Sequence, residues 1–547
     1  MQFNYAVLLE QLAQVLPQEW VALAHGDERL TYQQLNQRSN RLARFLLNNG
    51  VELGDHVGHY MRNSPRYIET FFGCTKSRAV HVNVNYRYKQ AELQQLLSSL
   101  DVKVLVYDTE FADEVAEIRD QLPQLTLFIE AGCLGDAKNS FASSFSDIVG
   151  SGDCTNLGLD YSGEDLLIIA TGGTTGLPKG TLWRQQDLMA VNGTLSAYAV
   201  LRFTGGHNPK TLEQHIANVE QIERQKAAMP LSPLMHGAGL SFALASLCQG
   251  SMVVTMPGER FDPAKTLQTI ADHQVTMLMF VGDAFCSGLV AELEKPGNSA
   301  LISSLRIALS SGAMWSAHNK KALLKHNPKL HLLDMLGSSE AMGTGSSVVN
   351  KDSDVETAKF QIGPRAKVIT AEGEEVLAGD GRQGMLVIAG YHPLGYYKDE
   401  QKTQELFVEL NGKRYLRTGD MATVDANGVV HLLGRDNKCI NSGGEKIFVE
   451  EVEQALKAHA SVYDALVVGL PDPKFGRVVT AVVQLRDGQQ LDEDALKSFV
   501  RDQLADYKKP KYIFSIADIK RAPNGKADYD LIQRYAQQSF DQLHAIS

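Results

Sequence analysis

The chain has 547 residues, 44% of them hydrophobic and 21% charged, with a formal net charge of −11 at pH 7. That length exceeds what one hydrophobic core serves, so two or more domains are expected. The acidic balance argues against a nucleic-acid backbone as the main partner, although local loops can still be positive enough for small anionic ligands.

The opening residues, MQFNYAVLLEQLAQVLPQEW, carry no basic segment and no long apolar core, so no signal peptide is expected. No apolar run approaches the roughly 20 residues of a membrane span. Six cysteines (Cys74, Cys133, Cys154, Cys248, Cys286 and Cys439) are scattered without metal-ligand spacing and read as reduced thiols. The expectation is a cytoplasmic protein of enzyme size, with neither a nucleic-acid partner nor a membrane span, and compatible with a homodimer.

The first clear element is a helix in RLTYQQLNQRSNRLARFLLNNGV, where Leu35, Leu42, Phe45 and Leu46 recur on one side and Asn48-Asn49-Gly50 forms a stop. VKVLVYD, 102–108, then reads as a buried strand. Helix and strand alternate up to about residue 110, which suggests an α/β domain with largely parallel sheet. TGGHNPKTLEQHIANVEQIERQKAAM breaks that rhythm and reads as a surface insertion with its own helix. Apolar strands and helices return over 231–340, and 360–434 is strand-rich, with a hairpin turn at Asn427-Gly428. The remaining chain reads as a small separate unit. Val449, Val452 and Leu456 mark a helix, DALVVGL and VVTAVVQL are strands, and LDEDALKSFVRDQL is another helix. The predicted domains are therefore 1–434 and 435–547.

Five stretches could carry chemistry. TGGTTGLPKG, 171–180, follows an apolar strand and places four glycines beside Thr174, Thr175 and Lys179. Successive N–H groups in such a turn form an anion-binding nest. The Leu177-Pro178 spacer, however, departs from the G-x-x-x-x-G-K-[ST] loop of nucleotide triphosphatases. PLMHGAGL presents His236 between an apolar run and two glycines. LSSGAMW and LLDMLGSSEAMG set small residues at strand ends, where a flat ligand can approach the backbone, and Glu340 supplies a hard oxygen suited to Mg²⁺. In the fourth stretch, 415–453, Asp420 and Arg435 bracket the hairpin, and Gly443-Gly444 allows close approach or a mobile turn. RAPNGKADYD presents Lys526 in a turn near the C-terminus.

Together with LTYQQLNQRSNRLARFL and NVNYRY (83–88), these stretches resemble, in order and over almost the whole chain, the adenylate-forming superfamily. That superfamily comprises acyl-CoA synthetases, luciferase-like enzymes and peptide-synthetase adenylation domains. The resemblance implies its fold: a large N-terminal domain of mixed sheets sandwiched by helices, plus a small mobile C-terminal α+β domain. It also implies ATP, Mg²⁺ and coenzyme A as co-substrates of a carboxylic acid. Thr171, Gly172, Gly173, Thr174, Thr175, Gly176 and Lys179 would then surround the phosphates. Gly312 and Ala313 would flank adenine, Ser339 and Glu340 would meet phosphate and Mg²⁺, and Asp420 with Arg435 would hold ribose. His236 would stand at the reacting end of the acyl pocket. Asp436 would be the hinge, Gly443 and Gly444 would line the thiol tunnel, and Lys526 would be the catalytic lysine.

Three positions depart from the family pattern. Leu336 stands where an aromatic residue commonly stacks on adenine, Gly172 replaces the usual serine, and Lys76-Ser77-Arg78-Ala79 replaces K-A-G-A. TGGTTGLPKGTLWRQQD and FVGDAFCSGL resemble a bacterial subgroup that includes enzymes acting on steroid side chains. The implied reaction attacks the α-phosphorus of ATP with a carboxylate, giving acyl-adenylate and pyrophosphate, and then passes the acyl group to a thiol. The residues around His236-Gly237-Ala238-Gly239, Val281-Gly282-Asp283 and Ser310-Ser311-Gly312 are small or apolar, which suits a hydrophobic acid. Asp283 could instead face a substrate amine, and a carrier protein could replace coenzyme A. A catalytically silent acyl- or nucleotide-binding relative is the remaining reading.

Overall fold

The computed structural model describes residues 3–132, 137–171, 179–192, 211–258, 260–313, 315–435, 439–442, 445–472, 476–504, 506–521, 525 and 527–545. The strand Val102–Asp108 shows how the first sheet is built. Its side chains alternate, Val104 and Val106 joining one core while Leu105 and Tyr107 join another. A strand buried on both faces is apolar throughout, as VKVLVYD nearly is. It belongs to an eight-stranded sheet, counted over the described residues, with parallel pairing of His56–Tyr60 to Val80–Asn83 and Val102–Asp108.

The helix Tyr32–Asn48 begins with a capping box in which Thr31 and Gln34 satisfy each other's backbone N–H groups. It buries Leu35, Leu42 and Leu46 and gives way at Gly50, whose φ is +79°. This helix, Pro65–Lys76 and Gly237–Cys248 fill one core between the two large sheets, where Leu42, Phe71 and Leu244 meet Val57, Ile169, Leu23 and Val253.

The second sheet has fourteen strands among the described residues. Its parallel centre is Ala227–Pro230, Met277–Phe280, Ile307–Ser311 and His331–Leu336. It then turns antiparallel through Gly345–Val349 and Lys359–Ile362 into the strand-rich stretch, ending in the hairpin of Lys413–Val424 with Val430–Arg435. The hairpin turn falls at Asn427-Gly428, where Gly428 has φ +77° and donates to the Asp425 carbonyl at 3.0 Å. Beyond it, Val462–Asp472, Gly476–Leu485 and Tyr512–Ser515 make a three-stranded sheet with its own cores on both faces. The helices Val449–Lys457, Glu493–Gln503 and Tyr529–Ala545 cover it.

The insertion's helix, Leu212–Glu220, is less superficial than its polar sequence suggests. Leu212, His215, Ile216 and Val219 lie on one buried face, and His215 Nε2 sits 2.6 Å from the Cys248 carbonyl.

Two histidines on adjacent strands, His59 and His81, are fully buried with their Nδ1 atoms 3.1 Å apart. Burial disfavours the charged rings and pushes His81 down to about 3, with His59 also lowered. An unfolded histidine titrates near 6.5, so the stability contribution is complete above that pH and declines as pH falls from there towards 3. For His81 the loss by pH 5 is about 2 kcal/mol. Urea denaturation at pH 7.5 and pH 5 measures it. His81→Gln is expected to flatten the dependence, and an unchanged slope would show that the pair does not set it.

Candidate active site

The strand Leu166–Thr171 returns antiparallel as Lys179–Arg184, with Thr171 opposite Lys179. The glycine-rich stretch therefore joins two strands of a hairpin, whereas the nucleotide-triphosphatase loop leads into a helix. Gly172, Gly173, Thr174, Thr175 and Gly176 lie outside the described residues, and Thr171 is described by its backbone alone.

Lys179 is anchored at the hairpin's return and is half-buried. The short strand Gly395–Tyr396 pairs alongside, Tyr396 opposite Thr181, which carries the Tyr396 ring beneath the Lys179 ammonium at 5.0 Å. The Tyr396 hydroxyl donates to Glu340 Oε1 at 2.9 Å. One strand over, the buried Trp183 indole donates to the Ser339 carbonyl at 3.1 Å. Lys179, Ser339 and Glu340, 161 positions apart at their widest, are thus drawn to one place by Trp183 and Tyr396. The Glu340 loop is tight. Ser338 Oγ accepts from the N–H groups of Glu340 and Ala341 at 3.3 and 3.1 Å, and a Cβ on Gly337 would lie 2.9 Å from the Ala341 carbonyl.

His236 occupies the N-cap position of Gly237–Cys248 and reaches the same neighbourhood. A Cβ on Gly237 would stand 3.6 Å from Ser339 Oγ and 3.2 Å from Met342 Cε. The buried Asn83 side chain, from NVNYRY, sets this approach. Its Nδ2 donates to the carbonyls of Ala170 and Met235 at 2.9 and 2.5 Å, while its Oδ1 accepts from Ala170 N at 2.6 Å. One amide thereby ties the end of the strand before the glycine-rich stretch to the residue before His236.

Gly312, Ala313 and Asp420 line a second region, a cavity of about 740 Å³ that also includes Asp334, Met335, Leu336 and Gly337. This is a size ordinary for small-molecule sites. Gly312 has φ +91°, a conformation that favours glycine. Asp420 stands opposite Arg435 in the ladder, and its N–H donates to Thr418 Oγ1 at 3.1 Å. The Arg435 side chain lies outside the description. Behind Leu336, Lys320 donates to Asp334 at 2.9 Å and to the Glu356 carbonyl at 3.3 Å, with its ammonium 5.4 Å from the Trp315 ring. Desolvation raises the Asp334 carboxyl, and the adjacent Lys320 opposes that rise.

The cavity does not include Lys179, Ser339, Glu340 or His236. The two regions are joined through the chain itself, since Leu336 and Gly337 line the cavity and Glu340 follows within one turn.

Two residues of the predicted acyl lining are engaged structurally. Asp283 Oδ1 accepts from Ser316 N, Ser316 Oγ and Asn319 Nδ2 at 3.1, 3.1 and 2.7 Å, tying it to the start of Ala317–His326. Ser310 Oγ accepts from Gly282 N at 2.9 Å. One Asp283 oxygen is thus taken by three internal donors, while the residue also lines the cavity.

The far wall of the cavity comes from the C-terminal unit: Glu450, Glu453, Lys457, Tyr463, Asp464, Arg521, Gly525 and Tyr529 are among its lining residues. Gly525 has φ +76°, and a Cβ there would lie 3.0 Å from Ala284 Cβ and 3.2 Å from Val281 Cγ1. The residue before Lys526 is thereby seated at the first turn of Gly282–Leu293. Lys526 itself, Asp436, Gly443 and Gly444 lie outside the described residues. Among the described residues no group of three or more His, Cys, Asp or Glu could hold a metal alone. One carboxylate, Glu340, is still what a Mg²⁺ carried by ATP requires, because phosphates and waters supply the rest of its shell.

A family model described as AMP-binding enzyme matches residues 9–397, and one described as the AMP-binding enzyme C-terminal domain matches 451–526. A protein of Mycobacterium marinum named medium/long-chain-fatty-acid–CoA/3-oxocholest-4-en-26-oate–CoA ligase is 38% identical over 533 residues, 96% of this chain and 95% of that one. The 3-oxocholest-4-en-26-oate–CoA ligase of Rhodococcus rhodochrous is 37% identical over 542 residues, 97% of this chain and 95% of that one. Among solved structures, an anthranilate CoA ligase in complex with anthranoyl-AMP matches at TM-score 0.82 and 22% identity, covering 99% of this chain and 98% of that one. ATP-bound MatB from Rhodopseudomonas palustris matches at 0.81 and 23%, covering 97% and 99%. These two likenesses are of fold, and the fold is the expected one: mixed sheets layered with helices, followed by a small α+β unit.

Proposed function

The chain belongs to the AMP-binding enzyme family, and from that premise we propose that it is an ATP-dependent acid–CoA ligase. It activates a hydrophobic carboxylic acid as the acyl-adenylate, releases pyrophosphate, and transfers the acyl group to coenzyme A with release of AMP. The observation that carries this reading is the convergence of Lys179 and Glu340 on Tyr396, beside a cavity edged by Gly312, Ala313 and Asp420.

In the first step two anions meet, so neutralisation and alignment dominate catalysis. Lys179 and the N–H groups of 171–176 stabilise the leaving pyrophosphate, and Asp420 with Arg435 holds the ribose. Glu340 is the residue that would hold Mg²⁺, which would supply screening of the phosphate charge. Lys526 is assigned the role of bridging the carboxylate and α-phosphate oxygens. His236, at the mouth of the apolar helix Gly237–Cys248, borders the reacting carboxylate. In the second step residues 435–547 swing about Asp436, so that Gly443 and Gly444 face the site and admit the thiol.

The acid is a medium- or long-chain fatty acid or a bulky steroid side-chain acid. The names of the Mycobacterium marinum and Rhodococcus rhodochrous relatives support this. No described helix is long and apolar enough to cross a membrane, and the cytoplasm, where ATP and coenzyme A are found, is the compartment we assign.

A panel of acids from acetate to palmitate, with aryl and steroid-derived acids, read by pyrophosphate release with and without coenzyme A, tests the reading. Release is expected for the longer and steroid-derived acids, with AMP liberated at a sustained rate only when coenzyme A is present. Silence across the whole panel would overturn it.

A further inference from the structure

We propose that Arg521 is a positioning residue that fixes the loop carrying Lys526 for adenylation, an inference that rests on the role of Lys526 stated above. The Arg521 guanidinium makes a two-pronged contact with Asp464, Nε to Oδ2 at 2.6 Å and Nη2 to Oδ1 at 3.0 Å. Its remaining Nη1 donates to the Gly525 carbonyl at 3.2 Å. One planar group therefore joins the strand Val462–Asp472 to the peptide bond that leads into Lys526.

The strut has a firm base. Asp464 is mostly buried, it accepts from Ala465 N at 2.8 Å, and Lys457 Nζ lies 3.5 Å away. The other side of the loop is pinned independently. Tyr529 donates to the buried Glu453 at 2.8 Å, and Glu453 also accepts from Val467 N at 3.0 Å. Between these anchors Gly525 rests on Val281 and Ala284.

The chemistry requires such a strut. Only placements of Lys526 that bring its ammonium between carboxylate and α-phosphate are productive. A displacement of about 1 Å in a catalytic group can cost about 10²-fold in rate. A guanidinium fixes direction as well as distance through its fork, which a lysine's single ammonium does not reproduce. The contact of Gly525 with Val281 and Ala284 exists only while the small unit presents this loop to the cavity. Arg521 therefore serves the adenylating half of the cycle and not the thiol-accepting half.

The test uses full-length protein and two separate assays: acid-dependent ATP–pyrophosphate exchange, and thioester formation from supplied acyl-adenylate and coenzyme A. Arg521→Gln and Asp464→Asn are each expected to slow exchange about 10²-fold while thioester formation stays near wild type. Arg521→Lys should recover part of the exchange. Parallel loss in both assays for Arg521→Gln, or wild-type exchange in Arg521→Gln and Asp464→Asn, would overturn the strut. Lys526→Ala measured alone separates the premises: undiminished exchange there removes the lysine's role itself, whatever Arg521 does.

Discussion

Lys526→Ala is expected to abolish acyl-adenylate formation and to leave thioester synthesis from supplied acyl-adenylate near the wild-type rate. The asymmetry follows from where charge accumulates. When the carboxylate attacks the α-phosphorus, both reactants are anionic, and a cation placed between them lowers the barrier without needing to accept a proton. Preorganised groups of this kind are worth about 10²–10³ in rate when one neutral donor is removed, and a full charge in a water-poor cleft is worth at least as much. Thiol attack on the mixed anhydride meets no such repulsion, since AMP already leaves readily. Gly525, the residue before Lys526, lies against Val281 and Ala284 and lines the cavity together with Gly312 and Asp420. ATP–pyrophosphate exchange and single-turnover thioester formation read the two halves separately. Equal loss in both would remove Lys526 from the first step.

Much of this arrangement was legible in the sequence where a local physical rule applied. The helix Tyr32–Asn48 was visible because apolar spacing and a glycine stop are local signals, and the hairpin at Asn427-Gly428 because few residues tolerate that turn. The glycine-rich stretch, Glu340 and the Asp420–Arg435 pair stood out as polar or glycine-rich breaks in apolar surroundings. What escaped were residues whose work is done across the fold. Tyr396 meets a glutamate 56 positions away, and Trp183 meets a carbonyl 156 positions away, with nothing beside either to mark it. Asn83 lay inside a quoted motif, yet its link between Ala170 and Met235 depends on strands that pair out of sequence order. The donors to Asp283 were equally hidden: three of them, on Ser316 and Asn319, converge on one of its oxygens from 33 and 36 positions away. The insertion was read from its polar average, whereas its helix buries positions 212, 215, 216 and 219, the ordinary stripe of an amphipathic helix.

The second large effect concerns the turn between the two steps. Asp436→Pro is expected to form adenylate and then stall, giving a pyrophosphate burst stoichiometric with enzyme and thioester turnover lowered by about 10²-fold or more. The chain leaves the large unit at a constrained point. Arg435, opposite Asp420, is the last described rung, and Gly434 before it has φ +137°, with the Glu450 carboxylate so close that any Cβ there would strike it. The hinge assigned to Asp436 follows directly on this constrained pair. Proline fixes φ near −65° and also narrows the choices of Arg435 before it. If the adenylating arrangement tolerates that φ, the first step survives, and what is lost is the rotation that brings Gly443 and Gly444 to the site. A variant that merely damaged the fold would lower the burst amplitude as well, so burst amplitude and steady-state rate must be measured on the same sample. A full burst followed by wild-type turnover would place the hinge elsewhere. A full burst followed by arrest would assign it to Asp436, and supplied acyl-adenylate should then fail to restore thioester formation, the reverse of the behaviour expected for Lys526→Ala.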